Sequence, residues 1–228
     1  MQNAEIQGDV KNLSAHLYED QETVMDEIAQ KALKLLREIK SVTFATINDR
    51  EPSARIIDVM FVEEDGLYFL TARGKSFYRQ LKANPSVAVC GMNEKYISVR
   101  LVGDVKFCDD RLVVDKIFDF NPMMNDLYPG EKRYVLEGIH LYKGKGEIFD
   151  LSTGPPKRQR FSFGGAKLIP SGYTITSKCT ACGICQEACP VNVISEGDIY
   201  QIDSEHCLEC GSCLEVCPEN AIETAKGL

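Results

Sequence analysis

Two short runs near the C-terminal end constrain this chain more than any other feature. They are "CTACGICQEACP", Cys179 to Pro190, and "CLECGSCLEVCP", Cys207 to Pro218. Each reads C-x2-C-x2-C-x3-C-P, and the second repeats the first at an offset of 28 residues. Eight of the ten cysteines lie in these runs. An exported chain would use so many thiols as a disulfide framework. Here "MQNAEIQGDVKN" has neither the basic nor the apolar part of an export signal. No apolar run approaches the roughly 18 residues of a membrane helix. The expectation is a cytoplasmic protein whose thiolates bind metal.

Three cysteines at i, i+3 and i+6 wrap one corner of a four-iron cube, and the fourth, followed by proline, reaches a partner cluster. That predicts two [4Fe–4S] clusters. Cluster I takes Cys179, Cys182, Cys185 and Cys217; cluster II takes Cys207, Cys210, Cys213 and Cys189. Gly183 and Gly211 allow close backbone approach. Zinc is the alternative, but zinc sites usually use two C-x2-C pairs per metal and have no use for the triple spacing. Residues 171–228 closely resemble bacterial two-cluster ferredoxins, which implies a small ferredoxin-like domain with an internal duplication.

Charge separates this end from the rest. The chain carries 26 basic and 34 acidic residues, net −8. From 178 onward there are two basic and nine acidic residues, so nearly all the excess is here. Such a surface excludes nucleic acid as a natural partner and suits a redox protein with a basic patch.

Upstream, the pattern is that of an ordinary globular domain. Residues 1–21 are a polar extension. "ETVMDEIAQKALKLLREIK" (22–40) is an amphipathic helix through Val24, Ile28, Leu35, Leu36 and Ile39. β-Branched and aromatic runs follow in "SVTFATIND", "SARIIDVMFVEE", "GLYFLTA", "PSVAVCGMN" and "KYISVRLVGDVKFC", with a hairpin at 63–66. Short helices are expected at 75–84 and at 109–120, the latter with an acidic start at Asp109 and Asp110. "YVLEGIHLYKG" and "GEIFDL" return to strand character. The fold class is α+β: an antiparallel barrel with flanking helices over 22–152, then the small domain at 171–228. Residues 153–170, rich in Pro, Gly and basic side chains, read as a linker. Cys90 and Cys108 lie outside the runs, and Cys90 is expected to be a buried, inert thiol.

"TARGKSF" (71–77) fails as a phosphate loop of the Walker type, because Phe69 stands where its first glycine must be. What remains is a strand end, then Lys75 and Ser76 at a helix start, which suits a single phosphate group. Arg55 offers a second cation. The stretch "RIIDVMFVEEDGLYFLTARGKSFYRQLKANP" resembles the pyridoxamine 5′-phosphate oxidase-like split-barrel flavoproteins, and the likeness covers roughly 22–150. It implies a split barrel, an FMN cofactor and a homodimer with FMN at the subunit interface. Arg55 and Lys75 would bind the FMN phosphate with Ser76 beside them. Ile56 and Ile57 would lie along the ring system, Leu70 and Thr71 would touch it from a strand end, and Ser98 would hydrogen-bond it. Met60 replaces the lysine of the oxidase pattern, and the tryptophan of its substrate motif is missing because this chain has none. Pyridoxamine phosphate is therefore not the expected substrate. No G-x-G-x-x-G fingerprint is present, so no Rossmann site for NAD is encoded. His16, His140 and His206 are scattered and are expected to be surface or hydrogen-bonded residues rather than haem ligands.

Clusters that move single electrons beside a flavin that handles one or two imply a converter between the two kinds of chemistry. The reading is an FMN-dependent iron–sulfur oxidoreductase acting between a one-electron carrier and an unidentified small substrate. The alternatives are a non-catalytic electron-transfer or redox-sensing module and a flavin reductase.

Overall fold

The computed structural model describes residues 25–108, 111–168 and 171–225. The expected N-terminal extension, His16, Val24 and the acidic pair Asp109–Asp110 lie outside the described residues.

The first helix, α1 (Glu27–Ile39), starts where Asp26 accepts a hydrogen bond from the Ala29 backbone N–H at 2.6 Å. This N-cap satisfies one of the free donors at the helix start. Its buried face is Ala29, Ala32, Leu33 and Leu36, while Ile28, Leu35 and Ile39 are only partly covered. The expected stripe is therefore rotated. Small alanines let the helix approach the sheet closely, and the larger residues fill its flanks.

Eight antiparallel strands form the main sheet: β1 (Ser41–Asn48), β2 (Glu51–Asp58), β3 (Phe61–Glu63), β4 (Gly66–Ala72), β5 (Ser86–Met92), β6 (Ile97–Cys108), β7 (Leu136–Asp150) and β8 (Lys157–Phe163). Their order is β2-β1-β5-β6-β7-β4-β3, with β8 also pairing β7. "SARIIDVMFVEE" breaks into β2 and β3, whereas the two strands expected over 134–151 are one continuous β7. The length of β7 explains the branching. Its first half pairs β4 and its second half pairs β8, while β6 runs along its other edge with a register shift at Asp104/Val105. A bulge of this kind bends a strand and closes a sheet toward a barrel. Between the strands lie α2 (Ser76–Ala83), α3 (Arg111–Phe120), α4 (Met124–Leu127) and a 3-10 turn, Gly130–Val135.

The presence of β8 corrects the linker reading of 153–170. Phe161 and Phe163 alternate into the core, and Phe161 is fully buried. Proline and glycine confine themselves to the turns on either side. The main core joins α1 to the inward faces of β1, β4, β5, β6, β7 and β8 through Phe44, Phe69, Leu101, Ile139, Ile148 and Phe161. A second core under α3 holds Phe61, Tyr68, Leu70, Ile117 and Phe118.

The C-terminal unit is built from short pieces: β9 (Gly172–Ile175), α5 (Ile184–Glu187), β10 (Ile194–Ser195), β11 (Gln201–Ile202), α6 (Ser212–Glu215) and β12 (Ile222–Ala225). Strand β9 pairs β12, and β10 pairs β11. The duplication is visible in the backbone. Ala181 and Glu209 share a left-handed conformation, with φ of 55° and 57°, and so do Gly183 and Gly211, with φ of 81° and 86°.

Candidate functional site

The cysteines fall into two sets. Cys179, Cys182, Cys185 and Cys217 line one small cavity with Gly183 and Tyr200. Cys189, Cys207, Cys210 and Cys213 line another with Gly211 and Tyr173. In each, the left-handed glycine starts a one-turn helix that carries the third cysteine, Cys185 on α5 and Cys213 on α6. Only glycine adopts that backbone freely. A side chain added at Gly211 would also meet the Tyr173 hydroxyl at 3.2 Å.

The sulfurs sit among hydrogen-bond donors. The Ala181 N–H donates to Cys179 Sγ at 3.4 Å, Glu209 N–H to Cys207 Sγ at 3.3 Å, and Ala221 N–H to Cys217 Sγ at 3.3 Å. Ser212 Oγ lies 3.4 Å from Cys210 Sγ and, together with the Ser212 N–H, holds that thiol below its ordinary pKa. Burial pushes the Cys185, Cys207 and Cys213 thiols up. Converging thiolates of this kind need a cationic centre to offset their charge. Among the described residues no three metal-ligating side chains converge on one ion position, whereas each four-cysteine set surrounds one cavity. The donor set and its spacing fit an iron–sulfur cube.

The second region lies around α2. Arg55 on β2 packs its guanidinium over the Phe77 ring, 4.5 Å from the centroid. It donates to Thr46 Oγ1 at 2.8 Å, Ser53 Oγ at 2.7 Å, Gln80 Oε1 at 2.6 Å and the Phe44 carbonyl at 3.4 Å. Burial lowers its pKa. The polar partners Thr46, Ser53 and Gln80 carry no sequence motif. Their only signal is periodicity, which places Gln80 and Phe77 one turn apart on α2.

Lys75 is the N-cap residue of α2, with no side-chain cap and no acidic residue in the first turn. Lys75 and Ser76 are both exposed. Thr71, at the end of β4, is buried, and its hydroxyl has no hydrogen-bond partner among the described residues. A buried hydroxyl without a partner is costly unless something else satisfies it. Leu70 beside it is buried in the second core.

The outer face of the sheet carries the other expected contacts. Ile56 projects outward and is 63% exposed, while Ile57 packs against the main core. Ser98 also faces outward, on β6, with its hydroxyl 3.3 Å from the Phe149 carbonyl. Strands β2 and β6 are separated by β1 and β5, and Ile56 is in register with Arg100 rather than Ser98, so Ile56 and Ser98 stand about 14 Å or more apart by strand spacing. One chain brings Arg55 to α2 but does not bring Ser98 to Ile56. Cys90, expected to be buried, is exposed on this same face. Strand parity is the reason, because Val87 and Val89 take the inward positions.

His140 is buried, stacked on Tyr68 with centroids 4.2 Å apart, and its Nε2 lies 2.9 Å from the Asp65 carbonyl. His206 pairs with Asp203 at 2.8 Å.

Comparison with known proteins agrees with this division. Residues 28–135 match the pyridoxamine 5′-phosphate oxidase family, and residues 178–222 match the 4Fe-4S dicluster domain. The chain joins a pyridoxamine 5′-phosphate oxidase-like domain to a 4Fe-4S dicluster domain. The dicluster domain is similar to a ferredoxin of Butyribacterium methylotrophicum, 61% identical over 31 residues, which is 14% of this chain and 56% of that ferredoxin. The match thus spans little more than half the length of that relative. The oxidase-like domain is similar in structure to a NimC/NimA family protein of Clostridium acetobutylicum. That protein is 26% identical, the likeness covers 62% of this chain and 96% of that one, and the TM-score is 0.55. A pyridoxamine 5′-phosphate oxidase-related, FMN binding protein of Nostoc punctiforme is 17% identical, with 58% of this chain and 92% of that one covered and a TM-score of 0.41. The pairing of these two matches suggests a redox role. No helix among the described residues is long and apolar enough to cross a membrane.

Proposed function

We propose that the chain is an iron–sulfur flavoprotein oxidoreductase with two [4Fe–4S] clusters and one FMN, acting between a one-electron carrier and a small organic substrate. The observation that carries this reading is the contact between the two domains. The outer face of β7 and β8 is covered by the C-terminal unit, through Arg158 N–H to the Glu205 carbonyl at 2.6 Å and Arg160 to Glu209 at 2.8 Å. A cluster domain seated on a flavin-type barrel has a short route to it.

Lys75, Ser76 and the uncapped start of α2 would hold the FMN phosphate, because a helix N-terminus and a lysine both favour an anion. Arg55 would add its charge from the side, and the Thr71 hydroxyl would gain the partner it lacks. When bound, FMN supplies transfer of one or two electrons, the exchange that clusters alone cannot offer to an organic substrate. Met60 and the absence of tryptophan argue against pyridoxamine phosphate as that substrate.

The exposed outer face of β2, β1 and β5 supports a homodimer. Ile56 and Met92, 63% and 55% exposed, flank the exposed Ala54, Ala88 and Cys90. A second chain laid there would cover an apolar patch and would let Ser98 of one chain approach Ile56 of the other. The acidic dicluster domain would steer toward a basic patch on the carrier protein, so reduction by such a carrier slows as salt rises.

One observation favours a second reading. Arg55 already makes four hydrogen bonds within the chain, which suits an electron-transfer module with weak flavin binding. Anaerobic purification with iron and flavin quantitation separates the two. Roughly eight irons and one FMN per chain, with turnover of a small acceptor, supports the oxidoreductase. Iron without flavin supports the module. A donor screen with NADH, NADPH and reduced ferredoxin follows from the same preparation.

A further inference from the structure

We infer that the set formed by Cys207, Cys210, Cys213 and Cys189 is the barrel-side relay, held against the barrel by Arg158 and Arg160 and tuned in potential by Arg160 and Ser212. This rests on the two-cluster reading above.

Three observations converge. The first is where the duplicated runs differ. They share left-handed backbone at matching positions, yet Ala181 in the first run becomes Glu209 in the second. Glu209 is the side chain that meets the barrel: its carboxylate takes Arg160 at 2.8 Å and lies 3.8 Å from Arg158. Its own N–H donates to Cys207 Sγ. A methyl group at the same position in the first run has no such reach. The sequence departs from its internal symmetry at the position that docks one cysteine set and not the other.

The second observation is the row of paired residues beneath the dock. Ser98 on β6 stands opposite Phe149 on β7, which stands opposite Arg158 on β8. Two strand spacings, about 10 Å, separate Ser98 from Arg158, whose N–H is bonded to Glu205. Cys207 follows Glu205 by two residues. The outer face that carries Ser98 therefore leads directly to the second set. The hydrogen bonds and ion pairs described between the two units run to Glu205 and Glu209.

The third observation concerns the sulfurs. Cluster potentials rise with hydrogen bonds to sulfur and with nearby positive charge. Cys210 Sγ has the Ser212 hydroxyl at 3.4 Å. The counterpart of Ser212 is Ile184, which has nothing to donate. Arg160 offsets the Glu209 carboxylate that lies beside Cys207, while Arg158 is shared between Glu209 and Glu147. The first set has a donor of its own in the Ala221 N–H to Cys217 Sγ, so each set carries its own handle on its potential, and Ser212 and Arg160 act on the second set alone.

An anaerobic redox titration of the full chain, followed by the EPR signals of the reduced clusters, reads this without reference to flavin or turnover. Two one-electron steps are expected. Both Ser212→Ala and Arg160→Gln should shift the same one of the two steps, at least threefold toward the oxidised form, and leave the other in place. Arg160→Lys should retain most of the wild-type value. Ile184→Ser, which offers the first set a hydroxyl, should move the other step upward. The inference is overturned if Ser212→Ala and Arg160→Gln move different steps, if Ile184→Ser moves the step that they move, or if Arg160→Gln moves neither. Absence of FMN from the preparation would sink the oxidoreductase reading but would not alter these shifts.

Discussion

Arg158→Ala is the substitution whose cost follows most directly from the geometry. Glu147 and Arg158 form a diagonal ion pair on the outer side of β7 and β8, with side chains 3% and 5% exposed. Arg100 Nε adds a contact to Glu147 at 2.7 Å, and Arg158 lies over the Phe149 ring at 4.5 Å. Removing one partner of a buried pair costs about 3–5 kcal/mol, because the other charge is left in a poorly solvated place. Arg100 remains as a partner but is 58% exposed, so its attraction is weakened by water. The expected loss is about 3 kcal/mol. With a urea dependence of about 2–3 kcal/mol per molar, the unfolding midpoint falls by about 1–1.5 M. The chain has no tryptophan, so far-UV circular dichroism under anaerobic conditions is the assay. A double variant, Glu147→Leu with Arg158→Met, removes both charges and should recover most of the loss, since apolar replacements of buried pairs are often neutral. Arg158 Nε already lacks a partner among the described residues, which makes that recovery easier. A midpoint shift under about 0.2 M for Arg158→Ala, or a double variant as unstable as the single one, would refute the claim that the dicluster domain buries this pair.

Phe161→Ala should cost about 3–5 kcal/mol in the same assay, as expected for a buried phenylalanine, and a cost under about 0.5 kcal/mol would return 157–163 to the status of linker. Cys189→Ser should damage the cluster held mainly by the second run; EPR loss confined to the other signal would refute the crossing. Lys75→Ala should weaken FMN binding about tenfold or more without changing the iron content, measured by flavin fluorescence during dialysis. Burial holds the His140 imidazole below its ordinary pKa. The unfolded chain then binds the proton more readily, so His140 makes the barrel less stable as pH falls below about 6.5. His140→Phe should reduce that loss between pH 7 and 5, and an unchanged pH profile would contradict it.

The cysteine sets were the most legible part, because cluster ligation fixes residue type and spacing together. Strands β1, β5 and β6 were legible from alternation, since each has one face on the core, whereas β4 is buried on both faces and is marked by its unbroken apolar run. The linker error has a physical cause. In "PPKRQRFSF" the outward positions of β8 are arginines that are buried only because another domain lies over them, and a local window cannot see that domain. Phe161, Ser162 and Phe163 did carry the alternation signal, but the basic residues before them outweighed it. Cys90 shows the same limit on a smaller scale, since parity alone decides which side of β5 a thiol occupies. The partners of Arg55 were invisible because hydrogen bonds among Thr46, Ser53 and Gln80 join three elements with no shared motif. Glu209 was legible in principle: aligning the two runs isolates it, and its role appears only when Arg160 is placed beside it.

The central claim is that clusters and flavin work as one unit in one chain. Its most direct test is rapid mixing of the anaerobically purified chain with a one-electron donor, following bound FMN absorbance, in the wild type and in Cys210→Ala. The account predicts FMN reduction that trails cluster reduction in the wild type and is lost in the variant. FMN reduced at the same rate without the second cysteine set, or protein that retains its iron but no flavin, would contradict it.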